Sequence, residues 1–543
     1  MVFARRSPTL LAAIIASCAM VLSLTACTSD NKTVVDGQTT VTSNSAGGVA
    51  VFTPSDGITL NQQTPLNKWA KLVPDLAKAL ADAGFKKGDI NHTTSDSLDK
   101  QSRAIQDFVV DHLSNNTTDD SGIAIAPDNM TLLLAPVVEA DASTRQYGDY
   151  VSQNLSTNDV TDEGATSDGE SSEDDSSKDD SSNTESDSTA SDEQAQAVDR
   201  LVSSLKLAKE SGMHVVLLGN SIEGYKPDAF VKFSDAQTIG KLQAEKMVSK
   251  LKLDKASKDN PKYIEVLLPY TAMDEKGNAN DSTFAQEAFR GIWQVLGSYY
   301  QKGVVESPSG TLDGKSTEND WQAVAYDAAK EGSTAKVLDK RLAKTDGQST
   351  LTRIDGIITM NDYIASEVVK ELDDLGYTGS AADINPQITI SGIVGNITGK
   401  KDLSRDAVPD PIKSPENDNA NDSSSSDDDA DEDTSASDKD RDSQWPLVTG
   451  YGAYVSNIPS IVNGKQWMTG MEDRQTIATD IAQACAKLNK DEALNSMPSI
   501  RNSEVGGVKK IPTISEPLLA VSASNLKSAL IDPGYISLAD AGL

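Results

Sequence analysis

Short apolar strands alternate with amphipathic helices along most of this chain, and that alternation limits the folds it can adopt. The stretch GGVAVFTP has the pattern of a strand and precedes the helical stretch NKWAKLVPDLAKALADAGF. Helix–strand pairs follow, such as QAVDRLVSSLKLAKESG with MHVVLLGN and SDAQTIGKLQAEKMVSKL with KYIEVLLPY. Short strands that are apolar on both faces and separated by helices are typical of parallel sheets. The pattern therefore predicts the α/β class.

Two acidic tracts interrupt this pattern and carry most of the formal net charge of −33. Residues 158–194 hold 14 acids and one lysine (−13), and residues 416–443 hold 12 acids and two bases (−10). Subtracting −23 from −33 leaves about −10 for the remaining chain. The tracts nearly lack the apolar residues that would offset the entropy of ordering them, so we expect two disordered acidic insertions. The sign of the charge disfavours a nucleic-acid partner.

The N-terminus has the pattern of a secretory signal. Arg5 and Arg6 precede the apolar run LLAAIIASCAMVLSL, which is too short and wrongly flanked for a spanning helix. The next residues, LTAC, resemble the processing box of bacterial lipoproteins, so we expect cleavage after residue 26 and a diacylglycerol on Cys27. The alternative is an ordinary signal peptide with a chance cysteine. The first interpretation predicts a signal peptide over 1–26, a polar tether over 27–46 and an anchor on the extracytoplasmic face of the cell membrane.

The rest of the sequence lacks the motifs of catalysis. Cys485 is the one cysteine beyond Cys27, so no internal disulfide is expected, and its helical spacing among apolar residues favours a buried, inert thiol. No His, Cys and Asp cluster has metal-ligand spacing, and no nucleophile elbow, P-loop or dinucleotide fingerprint occurs. We therefore expect neither an enzyme nor a bound metal or cofactor.

Polar residues stand where two of the apolar strands end. Asn361 and Asp362 follow one strand directly, and Asn220 follows the strand HVVLL. In parallel sheets ligands bind outside the carboxyl ends of the strands, so these positions are candidates for ligand contact. Asp362 has an alternative role as the N-cap of the following helix, because Asp accepts hydrogen bonds from the first-turn N–H groups.

Several ordered stretches together resemble the type I periplasmic sugar-binding proteins, in the branch of the xylose and multiple-monosaccharide binders of ABC importers. The resemblance covers roughly residues 48–540 outside the tracts. The stretches, in order, are LNKWAKLVPDLAKALADAGF, DKQSRAIQDFVVDHL with GIAIAP, FSDAQTIGKLQAEKM, ITMNDYIASEVVKEL, VTGYGAYVSNIPSIVNGKQWMTGMED and PLLAVSASNLKSALIDPGYIS.

The resemblance implies two Rossmann-like lobes that are joined by three crossovers and close around a sugar. The expected boundaries are residues 47–224 for lobe 1, 225–471 for lobe 2, 472–508 for a return to lobe 1, and 509–543 for a return to lobe 2 and the tail. The two acidic tracts are insertions in lobes 1 and 2. The implied partners are a sugar or related polyol and the permease of an ABC importer.

The expected ligand-binding residues come from the resemblance and from their places in the pattern. Trp69 stands where the family has an aromatic residue in the sugar cleft, with packing on its own helix as the alternative. Asp235 is equally suited to an N-cap. The full set of candidates is Lys68, Trp69, Asn220, Asp235, Asn280, Trp321, Asn361 and Asp362. We expect Asn361 to face the cleft with a free amide and Asp362 to cap the helix.

The sequence also departs from the sugar-binding pattern. Gly452 stands where the family has an Asp that accepts sugar hydroxyls, and Met471-Glu472 replaces its Tyr-Lys hinge. Two hypotheses follow. The first is a lipid-anchored solute-binding protein that captures a sugar or polyol for an ABC importer. The second is a ligand sensor or scaffold with the same fold and a degenerate sugar pocket.

Overall fold

The computed structural model describes residues 34–35, 38–39, 46–55, 65–115, 125–138, 145–151, 153–156, 184–273, 280–328, 330–343, 351–381 and 445–543. The chain forms two compact units, Met1–Asn44 and Ser45–Leu543. In the first, strand β1 (Val34–Val35) pairs with β2 (Gln38–Thr39). The predicted lipid site, Cys27, and the acidic tract 416–443 lie outside the described residues, as do residues 158–183 of the other tract.

Lobe 1 of the second unit is built on a seven-stranded sheet. All neighbouring strands are parallel except the pair at one edge, which forms an antiparallel hairpin. In spatial order the strands are β17 (Ile500–Val505), β18 (Val508–Ser515), β9 (Ala229–Lys232), β7 (His214–Leu218), β5 (Met130–Leu134), β3 (Gly48–Pro54) and β4 (Ile90–Ser95). Its helices are α1 (Trp69–Asp82), α2 (Leu98–Asn115), α3 (Thr184–Glu210) and α10 (Arg474–Leu488).

Lobe 2 has a four-stranded parallel sheet. In spatial order its strands are β12 (Val305–Glu306), β10 (Lys262–Val266), β14 (Gly356–Ile358) and β15 (Leu447–Val448). Its helices are α4 (Ala236–Leu251), α5 (Thr283–Gln301), α6 (Trp321–Val324), α7 (Ser333–Arg341), α8 (Asp362–Asp374) and α9 (Ile458–Val462). Short strand pairs are β6 (Asn154–Leu155) with β8 (Ser221–Ile222), β11 (Leu268–Pro269) with β13 (Ala325–Tyr326), and β16 (Met468–Met471) with β19 (Leu519–Ser522).

Three connections join the lobes. The chain crosses from β9 to α4 at residues 233–235, from β16 to α10 at residues 472–473, and from β18 to β19 at residues 516–518. Parallel sheets, flanking helices and three crossovers confirm the predicted two-lobed α/β fold. The lobe boundaries differ from those expected at residues 224 and 508. Strand β9 follows the first, strand β18 runs on from the second to residue 515, and the two strands pair with each other in the lobe 1 sheet.

Helix α3 corrects one part of the disorder prediction. The helix begins at Thr184, so residues 184–194 of the first acidic tract are helical. Acidic residues are compatible with the first turns of a helix because they interact favourably with its positive end. Further along the helix, Leu201 and Leu205 are fully buried in the lobe 1 core, which gives the helix its packing energy.

Three further expectations concern the thiol of Cys485, metal binding and membrane-spanning helices. Cys485 is fully buried in α10, as its spacing predicted, and burial raises the pKa of its thiol far above the ordinary value. Within the described ranges, no group of three His, Cys, Asp or Glu side chains is placed to hold a metal ion. Among the same residues, no helix is both long and apolar enough to cross a membrane.

Candidate functional site

Residues 145–151 contact the carboxyl ends of strands in both lobes, and we call them the bridging segment. On the lobe 1 side, Lys68 precedes α1 and donates from Nζ to Asp149 Oδ1 at 2.8 Å. The backbone N–H of Trp69 donates to the other carboxylate oxygen at 3.0 Å. The hydroxyl of Tyr150 donates to the Lys68 carbonyl. Two predicted ligand residues therefore hold part of the chain itself.

The ring of Trp69 is enclosed by aromatic side chains. It is 3% exposed and meets Tyr150 edge-on, with 5.1 Å between ring centroids. Phe233, in the first crossover, lies 5.7 Å from Trp69 and stacks on Tyr150 at 4.7 Å. The indole that we expected to stack on a sugar packs instead against Tyr150 and Phe233.

Asn220 is also bonded to its own chain. Its Oδ1 accepts from the backbone N–H of Gln153 at 3.0 Å, and its Nδ2 donates to the Pro136 carbonyl at 2.9 Å. Strand β8 begins at the next residue and pairs with β6, which follows Gln153. Asn220 thus holds Gln153, which follows the bridging segment, against lobe 1.

Asn361 has the helix-capping role that the sequence suggested for Asp362. Asn361 is the N-cap of α8, and its Oδ1 accepts from the backbone N–H of Ile364 at 2.9 Å. Its Nδ2 is not free, because it donates to Oε1 of Gln146 in the bridging segment at 3.1 Å. Tyr454 strengthens the same contact, since its hydroxyl donates to the Gln146 carbonyl at 2.6 Å.

Asp362 is a buried carboxylate in the network that orders lobe 2 beneath the site. Its Oδ2 accepts from the backbone N–H of Tyr454 and from the hydroxyl of Thr469, each at 2.9 Å. Its Oδ1 accepts from Gln466 Nε2 at 2.7 Å. Burial raises the pKa of Asp362 to about 6, and these hydrogen bonds partly oppose that rise. The predicted helix-capping role is wrong, because Asn361 holds that position.

The remaining candidates bond to neighbours outside the bridging segment. Asp235 caps α4, accepting from the backbone N–H of Thr238 at 2.7 Å. The Nδ2 of Asn280 donates to the Thr271 carbonyl at 2.8 Å. Trp321 opens α6 and meets Tyr270 edge-on, 5.1 Å between centroids. Asp235 therefore has the capping role that was its alternative. The contacts of all three residues lie away from the bridging segment.

Gly452 explains one departure from the sugar-binding pattern. Its φ is +114°, a backbone conformation that favours glycine. A Cβ at this position would stand 2.9 Å from the ring of Tyr454 and 3.4 Å from Pro65. An aspartate therefore has no room here while Tyr454 holds the bridging segment.

The first two crossovers are also tied to each other. Glu472 accepts a short hydrogen bond from the backbone N–H of Ser234, whose hydroxyl bonds the hydroxyl of Tyr451. Burial raises the pKa of Glu472 to about 7. A buried carboxylate thus links the two connections about which the lobes would turn.

The sequence analysis missed the bridging segment. Its residues lie between β5 and the first acidic tract, and the residues next to them in the sequence, 141–144 and 152–154, are mostly polar. The available signal was the pair Tyr147 and Tyr150 around Gly148, because aromatic residues in a polar insertion indicate that part of it packs.

Comparisons with known proteins give structural likeness only. No family model matches the chain, and no curated protein matches it. An ABC transporter solute-binding protein from Clostridium phytofermentans, with bound β-D-glucose, is 16% identical and aligns over 91% of this chain and 99% of its own at a TM-score of 0.44. A carbohydrate transporter solute-binding protein from Chloroflexus aurantiacus, in complex with D-glucose, is 18% identical over 91% and 98%, with a TM-score of 0.42.

A third structure differs in its ligand. It is an ABC transporter solute-binding protein from Bacillus halodurans with bound myo-inositol, 11% identical over 90% of this chain and 98% of its own, with a TM-score of 0.35. The fold assigned to the present chain rests on its own sheets and crossovers.

Proposed function

We propose that the protein is an extracytoplasmic solute-binding protein that captures a sugar or related polyol between its lobes and presents it to the permease of an ABC importer. One observation carries this proposal: polar and aromatic residues at the carboxyl ends of strands from both lobes converge on one place. Lys68 and Trp69 approach it from lobe 1, and Asn361 approaches it from lobe 2. This is where parallel α/β sheets bind ligands.

The chemistry of these side chains suits a sugar. An indole offers an apolar face to the C–H groups of a sugar ring. A carboxamide donates to one hydroxyl and accepts from another, and an ammonium group donates only. The same set also suits a polyol. Anchoring through a lipid on Cys27 belongs to the proposal and rests on the LTAC stretch.

A second candidate function is a ligand sensor or scaffold with a degenerate sugar pocket. The observation that favours it is the internal bonding of Lys68, Asn220 and Asn361, whose polar groups all contact the chain itself. Gly452 adds to this, since it supplies no carboxylate for a sugar hydroxyl. Neighbouring genes for an importer ATPase and permease would favour the first function, and a neighbouring membrane kinase the second.

The test is a thermal-shift screen of the mature protein with D-glucose, D-xylose, myo-inositol and a set of oligosaccharides, followed by calorimetry of each hit. We expect weak binding of the simple monosaccharides and stronger binding of at least one other member. Asn361→Ser keeps an N-cap oxygen and removes the amide. It should bind that ligand about tenfold or more weakly than Gln146→Ala, which loses the same contact between residues 361 and 146 but keeps the amide. A screen without any binder would contradict the solute-binding function, and tight glucose or xylose binding would contradict the altered pocket.

A further inference from the structure

We propose that the bridging segment, residues 145–151, is an intramolecular latch that holds the two lobes together in the absence of a ligand. This inference goes beyond the proposed function, because it concerns the resting conformation and stands whether or not a sugar binds. It rests on how the segment divides its contacts between the lobes.

The segment is fixed to lobe 1 at Gly148 and Asp149. The backbone N–H of Asp149 donates to the Asn67 carbonyl at 2.8 Å, while the carboxylate holds Lys68 in an ion pair at 2.8 Å. Gly148 has a φ of +93°, and a Cβ there would stand 2.5 Å from the Asn67 carbonyl oxygen. Such a close approach of two backbones requires glycine, so the segment is seated on lobe 1 in one defined position.

The same segment reaches lobe 2 through Gln146 and Tyr147. Gln146 accepts two hydrogen bonds from lobe 2, one from Asn361 and one from the hydroxyl of Tyr454. The ring of Tyr147 is 1% exposed and lies 4.7 Å from the ring of Phe284, near the start of α5. These contacts connect the two lobes across the cleft, and all of them are made by the chain itself.

Apolar burial follows the same division. Tyr147 and Val151 belong to the apolar core of lobe 2, whereas Tyr150 belongs to the core of lobe 1. Separating the lobes while the segment stays on lobe 1 would expose Tyr147 and Val151 to water. Because exposing apolar surface is unfavourable, the closed arrangement is stable on its own.

The consequence for binding is competitive. In the closed form the amide of Asn361 is engaged by Gln146 of the bridging segment, whereas Trp69 packs against Tyr150 within lobe 1 in either form. Any ligand for Asn361 must therefore meet an open form. The apparent dissociation constant equals the intrinsic constant divided by the fraction of open molecules. Because the latch lowers that fraction, it raises the apparent dissociation constant in the same proportion.

The experiment measures the distance between lobes in the ligand-free protein. Nitroxide labels are placed on Lys71→Cys in lobe 1 and Gln322→Cys in lobe 2, both exposed positions, in mature protein that carries Cys27→Ser. Cys485 is fully buried and stays unlabelled. Pulsed electron–electron double resonance then gives the distribution of distances between the two labels. We expect one short, closed population, and we expect the double variant Gln146→Ala, Tyr147→Ala to raise the ratio of open to closed molecules at least about tenfold.

Two further variants keep the result decisive. Tyr150→Phe removes the hydroxyl that donates to the Lys68 carbonyl within lobe 1 and keeps the aromatic ring, so it should keep the closed distribution. Asn361→Ser removes the amide that donates to Gln146 from lobe 2, and it should raise the open fraction even where the double variant fails to fold. An open distribution in the unaltered protein would overturn the latch, as would a closed distribution in both the double variant and Asn361→Ser.

Discussion

The carboxyl group of Asp362 should make stability depend on pH. Its pKa rises from 3.8 to about 6 on folding, so between these values the folded state binds a proton that the unfolded state releases. The free energy of unfolding contributed by Asp362 therefore falls as pH rises from about 4 to 6, by roughly 3 kcal/mol in total, and stays constant above that.

Asp362→Asn isolates this effect. The amide cannot titrate, and its NH2 group faces one of the donors on Gln466, Thr469 or Tyr454, so the variant should be less stable at every pH. Urea unfolding at pH 4, 5, 6 and 7 measures both proteins. The stability advantage of the unaltered protein should shrink over this range, and a constant difference would contradict the raised pKa.

Asn361 should contribute to stability as a helix cap. Asn361→Ala leaves the N–H of Ile364 without its acceptor and should cost about 1 kcal/mol of unfolding free energy. Asn361→Ser supplies a hydroxyl that caps as well, so thermal unfolding should show a smaller loss. Both variants lose the hydrogen bond to Gln146. Equal losses of unfolding free energy would therefore assign the loss to that bond instead of the helix cap.

Asn361 and Asp362 show what the sequence can predict about single residues. The strand end could be located, because an apolar run stops at Asn361. The division of roles could not, since Asn and Asp are equally good caps and the choice depends on backbone angles. Asn361 has the extended conformation of an N-cap, with φ −143° and ψ 165°, which leaves Asp362 to turn into the core.

At the scale of elements, strands and helices followed from apolar periodicity, whereas the bridging segment did not. Strands β3 and β7 coincide with the predicted apolar runs GGVAVFTP and HVVLL, and both are almost entirely buried. The edge strand β4 (INHTTS) has no such run and is mostly exposed. The segment has no period, because its side chains alternate between the cores of two lobes rather than two faces of one element. Local sequence contains no information on which lobe receives Tyr147 and which receives Tyr150.

Deletions should distinguish the contribution of the acidic tracts to thermal stability from that of helix α3. Removing residues 158–183 and 416–443 should change the melting temperature little, because closing a loop costs free energy that depends only logarithmically on its length. Extending the first deletion to residue 194 removes the first turns of α3 and should lower the melting temperature further. Calorimetry compares the two deletions, and loss of cooperative unfolding in the shorter one would show that the tracts pack against the body.

For the whole molecule, the N-terminal sequence predicts attachment to a membrane. Cys27→Ser removes the thiol that would accept the diacylglycerol. We expect the variant to be released from the membrane or retained as an uncleaved precursor, because the polar tether alone gives no anchor. Membrane fractionation and gel migration measure this, and a variant that behaves like the unaltered protein in both would contradict lipid attachment.

The central claim is that a sugar or polyol site and the bridging segment share one cleft. Calorimetric titration of the mature protein with the strongest ligand of the screen, alongside the double variant Gln146→Ala, Tyr147→Ala, tests it most directly. Because the variant frees the amide of Asn361 and raises the open fraction, its affinity should be about tenfold higher or more. Unchanged or weaker binding by a folded double variant would contradict the account.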